Sequence, residues 1–252
     1  MRSRFFIYIR FRGTSYAGWQ VQPGVLTVQQ IVEEALNTIL REKIKTTGAG
    51  RTDSGVHARF FCAHFDSENK HLDSDKNFIN RINKFLPEDI AVTQVRRVKN
   101  EAHARYSALS RTYLYYILKC KDPFMIDRAW YIPYDLNIET MNMASNILLK
   151  YNDFTSFSKL HSGAKTNICK IYYAGWNSDD NILIFKIKAD RFLRNMVRAI
   201  VGTMVDVGRG KIDLSEFEKI ILAKNRCAAG ISVPAKGLFL SDIEYPDDIF
   251  LI

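Results

Sequence analysis

Residues 4–12 read Arg-Phe-Phe-Ile-Tyr-Ile-Arg-Phe-Arg, and this alternation reads as a β-strand. Phe5, Ile7, Ile9 and Phe11 share one face, and Arg4, Phe6, Tyr8, Arg10 and Arg12 share the other. The first face suits a core, while part of the second presents arginines. A loop with Gly13, Gly18, Pro23 and Gly24 follows, then the capping box Thr27-x-x-Gln30. Behind it Val28, Ile31, Val32, Ala35, Leu36, Ile39 and Leu40 keep helical spacing. The chain therefore opens as strand, loop and amphipathic helix.

The mixed pattern continues outward from there. Strands are predicted over 59–65, 90–98 and 106–119, the last rich in Tyr, Thr, Leu and Ile. A helix is predicted over 78–85, ended by Pro87, and another over 138–149. Residues 168–176 and 182–188 read as a hairpin around the turn 177–181. A helix over 192–207, a second one capped by Asp213-x-x-Glu216, and a strand over 237–244 complete the chain. The expected fold class is α+β: two similar ferredoxin-like halves, 1–100 and 101–252, with helices packed on a shared, mostly antiparallel sheet.

The composition excludes wholesale disorder. Of 252 residues, 47% are hydrophobic and 25% charged, enough for a sizeable core. The net charge is +9 and is unevenly spread. Residues 1–60 hold nine Lys/Arg against four Asp/Glu, 96–128 eight against three, and 159–211 ten against four. Such a surplus suits a polyanionic partner and equally a merely basic surface. Cys62, Cys120, Cys169 and Cys227 form no C-x-x-C pair, so a zinc site is not expected, and reduced, mostly buried thiols are. The N-terminal apolar stretch is too short for a signal peptide, and 196–205 is too short for a membrane span. A cytoplasmic protein with no membrane association is expected.

The densest unusual segment is Gly48-Ala49-Gly50-Arg51-Thr52-Asp53-Ser54-Gly55-Val56-His57-Ala58. Three glycines in eight residues mark a loop where backbone comes close to something. It fails the dinucleotide pattern, because Asp53 stands where the third glycine belongs, and it lacks the Lys-Ser/Thr of a P-loop. From the residues alone, two roles stand open for Asp53. It is a nucleophile or base, or it forms an Asx turn around a local amide. His57, alone at a strand entrance, reads as structural.

The segment resembles the signature loop of the TruA family of tRNA pseudouridine synthases. Four further stretches match that family in order: His103-Ala104-Arg105 with Arg111-x-Tyr113-x-Tyr115; 152–157; Phe192 to Arg198 with Val201-Gly202; and 228–240 with Pro234, Gly237 and Leu238. Ser54 stands where the family usually has Ala, Ala102 where it has Phe, and 231–233 is atypical.

The resemblance implies an isomerase that converts uridine to pseudouridine on the 3′ side of the anticodon stem-loop of tRNA. It implies no cofactor and no metal, a homodimer with one tRNA across both subunits, and an active-site cleft between the halves. It makes Asp53 the nucleophile, Arg198 its partner, Tyr113 the ring stacked on the uracil, and Leu238 the apolar wall opposite. Arg51 becomes the candidate for holding a flipped-out nucleotide, since a guanidinium can stack and bind phosphate. RNA docking falls to Ala102, His103, Ala104, Arg105 and Tyr106, and to His161, Ser162, Gly163, Ala164 and Lys165.

Two other classes compete. A catalytically silent RNA-binding protein would not need Asp53, Tyr113 and Arg198 together. A carboxylate glycosidase usually needs a second acid, and Asp153, in a helix-to-loop turn, is a poor one.

Overall fold

A computed structural model describes residues 2–159 and 165–251. It divides into two compact units, one running to Leu109 and resuming at Leu240, the other spanning Ser110–Phe239. Both are α+β with mostly antiparallel strands.

In the first unit, β1 (Ser3–Phe11) lies between β3 (His57–Ser67) and β4 (Ile90–Val98), antiparallel to both. The two-residue β2 (Thr47–Gly48) adds to β3. Helix α1 (Val28–Leu40) packs against α2 (Phe78–Phe85), which lies on β4. The Thr27 side chain accepts the Gln30 amide at the start of α1, one of the two bonds of the expected capping box. Phe5, Ile7 and Ile9 are fully buried, as their alternation predicts. On the opposite face Arg10 and Arg12 are exposed, as expected, while Phe6 and Tyr8 are buried. As the central strand, β1 is covered on that side by Tyr245 and Phe250, whose rings meet Phe6 edge-on at 5.0 and 6.2 Å. Phe60 lies 5.2 Å from Tyr8.

In the second unit, β8 (Ile182–Ala189) pairs antiparallel with β5 (Ser110–Leu118) and with β7 (Ile171–Asp179). The short β6 (Trp130–Tyr131) runs parallel to β5. Helix α3 (Ile138–Leu148) packs on β7 and on α4 (Met196–Gly208), and α5 (Leu214–Leu222) packs against both helices. The Asp213–Glu216 capping box is complete. Strand β9 (Leu238–Glu244) runs out of the second unit at Phe239 and into the first.

Three expectations shift. Strand β5 begins at Ser110, because residues 103–107 are drawn into turns by the Ser107 amide bond to the His103 carbonyl. The β7–β8 turn tightens to two residues, with Asp180 at φ 46°, a conformation that aspartate tolerates. Helix α4 starts only at Met196, because Asn195 adopts φ 68° and closes the preceding turn. Of the four thiols, Cys62 and Cys169 are buried but Cys120 and Cys227 are exposed. Among the described residues, no helix is long and apolar enough to cross a membrane.

Candidate active site

The Asp53 loop leaves the sheet from β2, which is paired to β3. Gly48 pairs with Ala63, and the Ala49 amide donates to the Cys62 carbonyl at 2.8 Å. The loop returns to β3 at His57. Between these points it is braced by residues 13–19. The Trp19 amide donates to Thr52 Oγ1 at 3.0 Å, and the Gly13 amide donates to His57 Nδ1 at 3.0 Å. The Gly55 amide and the Ser54 hydroxyl both donate to the Tyr16 carbonyl, at 3.3 and 3.2 Å. A Cβ on Gly18 would lie 2.2 Å from the Thr52 carbonyl oxygen, so the two backbones meet directly. The Val56 amide closes a turn onto the Asp53 carbonyl at 3.2 Å.

The result is a half-buried Asp53 on a pinned turn, with Thr52 buried before it and Arg51 exposed. His57 is structural, 1% exposed and occupied as an acceptor. The Ser54 hydroxyl contributes one of the bracing bonds.

The same strand anchors the 102–106 segment. The Ala104 amide donates to His64 Nδ1 at 3.1 Å, and the Tyr245 hydroxyl donates to the Ala104 carbonyl at 2.6 Å. Arg4, paired with Asp66, donates to the Ala102 carbonyl at 3.1 Å. His103 Nδ1 accepts the Arg105 and Tyr106 amides at 3.1 and 3.3 Å. Ala102 and Ala104 are thus buried, and Arg105 and Tyr106 are presented outward, Tyr106 76% exposed. Nothing in the local sequence signals His64 or Tyr245, since each acts across the fold rather than along the chain.

The Ala104 bond requires His64 to be unprotonated at Nδ1. Burial, with Arg4 and His103 nearby, pushes its pKa from 6.5 down to about 4, against a smaller upward pull from Asp66. The unfolded chain then binds more protons between those values, so stability rises with pH there. The contribution is present above pH 6.5 and is lost as pH falls toward 4. Unfolding free energy from urea melts should fall over that window. His64→Asn, whose amide oxygen can accept the same amide, should flatten the slope. An unchanged slope in that variant would assign the pH dependence elsewhere.

In the second unit, Arg198 lies on α4 and donates from Nε to the Val233 carbonyl at 2.7 Å. Val233 in turn donates its amide to the Arg198 carbonyl at 3.3 Å. The segment 230–233 is held along α4. The Gly230 amide donates to Thr203 Oγ1 at 2.9 Å, Arg226 donates to the Gly230 carbonyl and to Ser232 Oγ, and Asn195 also donates to Ser232 Oγ. A Cβ on Gly202 would lie 1.9 Å from the Ile231 carbonyl oxygen. Gly202→Ala should therefore unseat this segment and destabilise the protein by about 1–3 kcal/mol, read by urea denaturation. Wild-type stability would mean that 230–233 shifts without cost.

Tyr113 is half-buried and meets the Phe192 ring edge-on at 5.1 Å. Tyr115, on the same face, is fully buried and donates to the Pro234 carbonyl at 2.8 Å, and Tyr116 is buried on the other face. Both are core residues. Leu238 is buried at the start of β9, and Lys165 is exposed. His161, Ser162, Gly163 and Ala164 lie outside the described residues. Asp153 is engaged by Thr155 and by Lys224 at 2.9 Å, a structural occupation.

A family model described as tRNA pseudouridine synthase matches residues 7–107 and 148–246. The tRNA pseudouridine synthase A of Bacteroides fragilis is 52% identical over 248 residues, covering 98% of each chain. That of Parabacteroides distasonis is 50% identical with the same coverage. That of Bacillus licheniformis is 39% identical over 241 residues, 94% of this chain and 97% of its own. The matched stretches take in the Asp53 loop, the 102–106 segment, Arg198 and Leu238, and the chain belongs to the tRNA pseudouridine synthase family, isomerases acting on uridine in tRNA.

Proposed function

We propose that this chain forms pseudouridine on the 3′ side of the anticodon stem-loop of tRNA, with Asp53 as nucleophile on a flipped-out uridine. The observation that carries the reading is the Asp53 turn, a half-buried carboxylate whose backbone is pinned on both sides beside an exposed Arg51. A reacting group needs such placement, because positioning within a fraction of an ångström decides rate.

The reaction breaks the N1–C1′ bond of uridine and forms a C5–C1′ bond. The C5 proton is lost and N1 gains one, so no atom is gained or lost overall. It needs a carboxylate at the sugar and base, a surface to hold the freed uracil, and a means of extruding the nucleotide. In this reading Asp53 supplies the first. Tyr113, braced by Phe192, and Leu238 supply the second. Arg51 assists the third, and Arg198, fixed by Val233, is the cation that partners the carboxylate. Arg105 and Tyr106 dock the RNA backbone, with Lys165 and the 161–164 stretch, in a cytoplasmic homodimer. A-form stems are recognised largely by shape and phosphate contacts, which exposed cations of this kind serve.

The test is pseudouridine mapping in unmodified tRNA after incubation with the purified protein. The expected product is confined to the 3′ side of the anticodon arm. Pseudouridine only elsewhere would overturn the site, and release of free uracil would overturn the reaction.

A further inference from the structure

Eleven of the twelve described glycines have a reason within the chain itself. Each has either a left-handed backbone or atoms standing where its Cβ would go. Gly50 has neither. Its φ lies outside the left-handed region, and a Cβ built there meets nothing within 4 Å. It is not a loose residue. Ala49 before it is 2% exposed and bonded to Cys62, and Thr52 after it is buried and bonded to Trp19. Glycine in a fixed segment where alanine would fit costs stability, because the unfolded chain gains freedom from it.

We infer that Gly50 is a substrate-approach position, where the sugar–phosphate of the nucleotide being processed passes against the bare Cα. Arg51 beside it is exposed, and Asp53 lies three residues on. A methyl group at Gly50 would then intrude on RNA and not on the protein. The inference deepens the tRNA reading above and rests on it.

The measurement pairs thermal melts with single-turnover pseudouridine formation on a full tRNA for wild type, Gly50→Ala and Gly50→Val. Both variants should melt at or above the wild-type temperature. Rates should fall with side-chain size, roughly tenfold for Ala and a hundredfold for Val, as overpacking against a ligand implies. Equal rates in all three proteins would overturn the inference while leaving the function intact. A loss of rate that tracks a lowered melting temperature would also overturn it, because Gly50 would then serve the fold. If wild type itself forms no pseudouridine, the functional reading fails, and the inference with it.

Discussion

Asp53→Asn is expected to bring turnover to the detection floor, a loss on the order of 10⁴ or more, as removal of a nucleophile does elsewhere. Asn matches the shape of Asp and keeps an acceptor oxygen, but it lacks the negative charge that attacks or stabilises an electron-poor sugar carbon. The loop should survive the change. Its bracing bonds run through the Asp53 carbonyl, the Thr52 and Ser54 hydroxyls and the Gly55 amide, all present in the variant. Affinity for tRNA should therefore stay within about twofold if docking is spread over many phosphate contacts. Filter binding and single-turnover assays on the same preparation separate the two effects. Substantial activity in Asp53→Asn would remove the nucleophile assignment. Lost binding with an unchanged melting temperature would instead place Asp53 among the docking residues.

What was legible in the sequence follows rules that act over a few residues. The alternation over 4–12, the Thr27 and Asp213 caps and the helix over 78–85 are of this kind, and they match the structure. The departures arise where distant chain decides. The second face of β1 reads as half-polar, yet Tyr245 and Phe250 cover it. The apolar periodicity from Phe192 suggests a longer helix, yet Asn195 in a left-handed conformation, beside Ser232, delays its start.

The candidate site divides the same way. Glycine density singles out 48–58, and His57 reads correctly as structural. The partners that hold the loop, Tyr16, Gly18 and Trp19, are separated from it by α1, so no local pattern names them. The same holds for His64 beneath Ala104 and for Gly230–Val233 along α4. Asp53 carries two readings on composition alone, and the reactive role proposed for it comes from the family resemblance.

Arg51→Ala is expected to slow single-turnover pseudouridine formation by about a hundredfold on a base-paired target, and much less on a mismatched or looped one. Extruding a stacked, paired uridine costs a few kcal/mol, and each 1.4 kcal/mol is about tenfold in rate. If Arg51 meets that cost by stacking or by gripping the extruded nucleotide's phosphate, the loss should shrink when the substrate no longer demands it. The position is consistent with this role. Arg51 is exposed on a segment anchored by Ala49 and Thr52, so its guanidinium can reach outward from a fixed base. Arg51→Lys should recover little, because an ammonium keeps the charge but not the planar stacking surface. Asp53→Ala, by contrast, should be equally dead on every substrate, since its missing step is bond breaking. The decisive comparison is the ratio of rates on paired and mismatched stems for each variant. An equal loss on both stems for Arg51→Ala would assign Arg51 to the chemical step or to the fold, and Asp53 and Arg51 would then belong to one function rather than two.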